Sequence, residues 1–67
     1  MGDQIEDFHI MLKDDDLKTR ITAIEFLGEI GNKESLRLLR ERMAVVSKEH
    51  EALIIAVGKL KRKLGVK

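Results

Sequence analysis

Hydrophobic residues recur along this chain at helical spacing, in four stretches separated by polar residues. Ile5, Phe8 and Leu12 form the first stripe. Leu17, Ile21, Ile24 and Leu27 form the second, with Ala23, Phe26 and Ile30 beside them. Leu36, Leu39, Met43 and Val46 make the third; Leu53, Ala56, Val57, Leu60 and Leu64 make the fourth. The alternation expected of a half-buried strand is missing. The pattern predicts an all-α chain with helices at about residues 4–13, 17–30, 33–46 and 48–64.

Polar residues at the breaks act as start and stop signals. Asp3, with Glu6 three residues on, has the spacing of a capping box. Asp14-Asp15-Asp16 ends the first helix, and Asp15 or Asp16 is expected to cap the second, because a carboxylate accepts from free backbone N–H groups. Gly31 is expected just past the second helix in a left-handed conformation. Asn32 is expected to cap the third helix, with Glu34 in its first turn, Ser47 to cap the fourth, and Gly65 to end it. Links this short force neighbouring helices to run roughly antiparallel.

Composition narrows the class. The chain has 67 residues, 43% hydrophobic and 37% charged, with no cysteine and no proline. That is enough for one small domain whose core alone leaves a thin stability margin. Without cysteine, disulfides and thiolate metal sites are excluded, and a reducing, cytoplasmic setting is expected. No apolar run approaches the roughly 18 residues of a membrane span. The acidic Met1-Gly2-Asp3-Gln4 start does not resemble a signal peptide, and Glu6 argues against myristoylation of Gly2. Net charge is +1, but residues 1–16 carry six acids and one base while residues 48–67 carry a net +4. The chain is a dipole along its sequence.

The chain also repeats itself. At an offset of 30, Ala23-Ile24 matches Leu53-Ile54, Leu27-Gly28 matches Val57-Gly58, and Ile30 matches Leu60. At an offset of 31, Ile5, Phe8 and Leu12 match Leu36, Leu39 and Met43. The segment from Leu12 to Gly31 reads as a leucine, an acidic turn, Arg20, small apolar residues and Leu27-Gly28-Glu29-Ile30-Gly31. It resembles the repeat of HEAT-like proteins of the phycobilisome-lyase type. The second copy, Met43 to Gly65, matches less well: Ala44-Val45-Val46 replaces the acidic turn and Lys61 the final glycine. The resemblance implies a short α-α superhelix and a scaffold that supports many functions. Gly28 and Gly58 each cost a helix about 1 kcal/mol relative to alanine. Their matched positions imply close helix approach at both.

Chemical motifs are few. His50-Glu51 is an imidazole–carboxylate pair suited to iron. Iron-binding relatives of this repeat type carry several His-Glu pairs, whereas here the matching positions in the first copy are Arg20-Ile21. A metal site or enzyme would need a second chain's pair, and the plainer reading is a solvated helix start. His9, beside Phe8, reads as a partly buried structural histidine, and Ser35 and Ser47 as cap or first-turn residues. Asp14–Asp16 lack the glycine and final glutamate of a calcium loop. The basic run Lys59 to Lys67 could contact phosphates but has no interleaved aromatic residues. No cofactor and no catalytic group are expected.

The fourth stretch holds more apolar residues than one face absorbs. Ala52, Ile54 and Ile55 fall outside the stripe of Leu53, Val57 and Leu60, and nothing later in this sequence covers them. The expected function is therefore a protein-interaction or scaffold module, self-associating as a homodimer through Ala52, Ile54 and Ile55. A closed two-fold dimer is the expected form. A head-to-tail arrangement would instead match the acidic start to the basic end without closing. The rivals are nucleic-acid binding through the basic end and a metal site at His50 and Glu51.

Overall fold

The computed structural model of the chain describes residues 4–44 and 48–66. Among these residues it is all-helical: α1 (Gln4–Met11), α2 (Leu17–Ile30), α3 (Lys33–Met43) and α4 (His50–Leu64). The first helix stops at Met11 rather than Lys13, with Leu12 and Lys13 continuing as a turn that bonds back to Phe8 and Ile10. The fourth begins at His50 rather than Lys48, with Glu49 at its N-cap position. The expected caps at Asp3 and Ser47, and the end of the third stripe at Val46, lie outside the described residues.

Local chemistry explains the helix ends. Asp16 occupies the N-cap of α2 in extended backbone, but its carboxylate makes no cap bond to the backbone. It accepts instead from the Thr19 hydroxyl at 2.9 Å, while Asp14 accepts from the Asp16 N–H at 2.8 Å. Asn32 caps α3 as expected, in a capping box closed by Ser35 rather than by an acid. The Asn32 side chain accepts from the Ser35 N–H at 2.9 Å, and Ser35 Oγ accepts from the Asn32 N–H at 3.1 Å. Gly65 ends α4 in the left-handed region, φ 70°.

Gly31 departs from expectation. Its backbone is extended, φ −65° and ψ 169°, so a left-handed turn is not what requires glycine there. Space is: a Cβ would stand 2.4 Å from the Leu27 carbonyl oxygen and 2.8 Å from Ser35 Cβ. The chain turns from α2 into α3 through a gap that only hydrogen fits.

Packing follows the stripes. α1 and α3 each lie against a partner helix, α2 and α4 respectively; α2 and α4 pack on each other, and α1 touches α3 more lightly. The core consists of Leu12 from the first turn, Ala23, Ile24 and Leu27 from α2, Leu36 and Leu39 from α3, and Leu53, Ala56, Val57 and Leu60 from α4. Each large side chain among them contributes about 1.5–3 kcal/mol by leaving water. Arg20 at the start of α2 meets Glu49 at the start of α4, and Glu29 near the end of α2 meets Lys59. The two helices therefore run in the same direction, displaced by about one 30-residue repeat of the sequence. Arg42, at the end of α3, also reaches Glu49, so α3 runs back toward the start of α2, antiparallel to it.

The Cα trace spans 33 × 31 × 15 Å. A slab this thin leaves much helix surface without an intramolecular neighbour.

Candidate functional site

Two features stand out on this slab: an ionic clasp at one edge and an uncovered face on α4. The clasp is built on Glu49, whose side chain is 1% exposed. Its Oε1 accepts from Arg42 at 2.6 Å and from Arg20 Nε at 3.2 Å. Arg20 also donates to the carbonyls of Asp14 and Asp15, at 2.7 and 3.0 Å. One carboxylate thus ties together the α1–α2 turn, the start of α2, the end of α3 and the start of α4. Burial pushes the Glu49 carboxyl upward, but hydrogen bonds from Arg42, its own backbone and the charge of Arg20 outweigh that, and the net shift is downward.

Sequence reading missed this clasp. Glu49 sits beside the His50-Glu51 pair, and nothing in its own surroundings in the sequence marks it. The one signal was Arg20, which occupies a position the repeat pattern itself contains. Among the described residues, Glu49 Oε2 and Arg42 Nε are buried without a hydrogen-bond partner, so the clasp is tight but not fully satisfied.

The histidines separate in role. His9 is half-buried and its Nε2 lies 2.7 Å from Ser35 Oγ, so α1 is pinned to the capping box of α3. His50 and Glu51 lie exposed in the first turn of α4. Among the described residues, no group of three or more His, Cys, Asp or Glu side chains is placed to hold a metal ion.

The basic run is partly engaged with α2 at the surface. Lys59 donates to Glu29 at 2.9 Å, and Lys63 donates to the Glu29 backbone carbonyl. The hydrogen bond from Lys59, followed by its charge, lowers the Glu29 carboxyl below its ordinary value. Lys63 is thus exposed yet tethered to α2. Arg62 stays exposed and Lys61 half-exposed.

The structure places the three predicted interface residues on two sides of α4. Ile54 and Ile55 are 50% and 54% exposed, and Ala52 is half-buried. Ala52 and Ile55 join Ile21, Phe26 and Ala56 in lining an open groove of about 440 Å³ between α2 and α4, rimmed by Glu25, Glu29 and Lys59. Ile54 lies round the helix from this groove, one turn before Gly58. Gly58 and Gly28, alike in sequence, differ in surroundings. A Cβ on Gly28 would meet the Cα and Cβ of Ala56 at 3.0 Å, whereas one on Gly58 would meet nothing within 4 Å.

Comparison with known proteins adds no identification. No family model, curated protein or solved structure matches this chain. Among the described residues, no helix is long and apolar enough to cross a membrane. Other large apolar side chains at the surface are Ile10, 69% exposed, Phe26 at 49% and Ile30 at 37%; the Phe26 ring stacks on Phe8 with centroids 4.9 Å apart.

Proposed function

We propose that this chain is a protein-interaction module, without catalysis of its own, that docks and self-associates through the uncovered surface of α4. The observation that carries the reading is the pair Ile54 and Ile55, adjacent on one helix and each about half-exposed. Leaving two such side chains in water forgoes roughly 1.5–3 kcal/mol each relative to burying them. A small slab gains most from a partner that covers this surface.

The HEAT-like reading supports this. The same-direction packing of α2 and α4, one sequence repeat apart, is what stacked helical repeats do, and such units need a neighbour on each open face. The surface pairing of Lys59 with Glu29 counts against nucleic acid as the ligand, since a carboxylate already offsets part of the basic run. The absence of metal chemistry is part of the same proposal and rests on the isolation of the His50-Glu51 pair. The test is light scattering of the wild type and of an Ile54→Glu, Ile55→Glu double variant. Association that rises with concentration in the wild type and disappears in the folded variant is expected. A wild type that stays monomeric and captures no protein would overturn the reading.

A further inference from the structure

We infer that the partner on α4 is a second copy of this chain, docked head to tail, with the α2 face that carries Phe26 and Ile30. This rests on the reading of α4 as the docking surface and names its occupant.

The argument begins with the contact already present inside one chain. Ile21, Ile24, Glu25 and Gly28 share one face of α2 by their helical spacing, and at Gly28 that face comes within van der Waals contact of Ala56 on α4. One repeat later, the same positions on α4 are Glu51, Ile54, Ile55 and Gly58. Glu51, Ile54 and Ile55 are exposed, and the space over Gly58 is empty. α4 therefore presents, uncovered, the positions that α2 uses to receive a helix, with the isoleucine and the glycine kept at Ile54 and Gly58.

The surface that would fill it is also present and also open. On α4, the side turned to α2 carries Ala52, Ala56, Lys59 and Leu60. Thirty residues earlier these positions are Thr22, Phe26, Glu29 and Ile30, all exposed on α2. Moving the internal contact on by one repeat sets α4 of one chain against α2 of the next. Phe26 then comes to Gly58 as Ala56 comes to Gly28, and the glycine leaves room for the approach. Ile54 is covered as Ile24 is covered within the chain.

Charge agrees at the position where it can be checked. Glu29 pairs with Lys59 inside the chain. After the move, Lys59 of one chain faces Glu29 of the next, so attraction is kept and the two signs alternate along the stack. The ends agree too, because residues 1–16 are strongly acidic and residues 48–67 strongly basic. A two-fold pairing of α4 with its twin, helices parallel, would set Arg62 against Arg62 and glycine against glycine. The structure thus favours the open head-to-tail contact over the closed dimer expected from sequence alone.

The test uses one-sided variants. Ile54→Arg blocks the α4 face and leaves Phe26 free. Phe26→Glu blocks the α2 face and leaves Ile54 and Gly58 free. Wild type is expected to form a ladder of sizes that lengthens with concentration. Each folded variant alone is expected to run as a 7.7 kDa monomer, and an equal mixture to double in mass and stop there. Circular dichroism establishes folding, and Ile30→Glu replaces Phe26→Glu if loss of the Phe8 stack unfolds the latter. A Phe26→Glu protein that still dimerises by itself would overturn the head-to-tail geometry and leave α4 as a two-fold docking face. Wild type that stays monomeric at every concentration would overturn self-association altogether. Variants that are monomeric alone and also when mixed, beside an associating wild type, would overturn the α2–α4 pairing.

Discussion

Replacing each matched glycine with alanine should change stability in opposite directions. Gly58→Ala gains helix propensity of about 0.8–1.0 kcal/mol. Nothing lies within 4 Å of the new methyl group, so no packing cost opposes the gain. For a domain of this size, about 1 kcal/mol raises Tm by roughly 4–8 °C. Gly28→Ala gains the same propensity, but its Cβ falls 3.0 Å from the Ala56 Cα and Cβ. Two helix backbones must move apart by a few tenths of an ångström, and crowding of a packed site costs about 1–3 kcal/mol. The net effect runs from nearly neutral to about 2 kcal/mol destabilising once the propensity gain of about 1 kcal/mol is subtracted. Thermal and urea unfolding by circular dichroism measure both, in dilute protein carrying Ile54→Arg so that association does not contribute. Equal shifts for the two variants, or a larger gain at Gly28 than at Gly58, would refute the reasoning.

Other outcomes follow from single contacts. Gly31→Ala places a methyl 2.4 Å from the Leu27 carbonyl and should lower Tm more than Gly28→Ala does, in the same melts. Asn32→Ala removes the α3 cap and should cost about 1 kcal/mol in urea unfolding. Glu49→Gln removes the charge from two arginine hydrogen bonds and should cost about 1.5–3 kcal/mol at neutral pH. The Glu49 carboxyl is lowered in the folded chain from its ordinary value of 4.5, so its stabilisation is complete above that pH and drains away as pH falls below it. Glu49→Gln should therefore flatten the acid limb of stability against pH, which denaturation midpoints across that range would show.

The helices were legible because stripes, caps and breaks agree locally. The stripes of α2, α3 and α4 supplied most of the core, and Asn32 and Gly65 act where their chemistry suggested. Gly31 was read through backbone conformation, whereas crowding by the Leu27 carbonyl and the Ser35 side chain decides it. Glu49 was hidden because its burial depends on Arg20 and Arg42, which lie on two other helices and are brought to it only by the packing. The exposed pair Ile54 and Ile55 was legible from helical spacing alone. Their division between two surfaces, a groove and a glycine-lined face, was not, because it depends on which side of α4 meets α2. Likewise the sequence set Gly28 and Gly58 as equals, and only the packing separates the filled position from the open one.

The most direct test of the interaction surface is an amide-resolved NMR dilution series of the isotope-labelled wild type, from the millimolar to the micromolar range. The account predicts concentration-dependent shifts grouped at Ile54, Ile55, Gly58 and Arg62 on α4 and at Phe26, Glu29 and Ile30 on α2, with the Glu49 clasp unmoved. Spectra that do not change on α4 over that range, or changes confined to other surfaces, would contradict it.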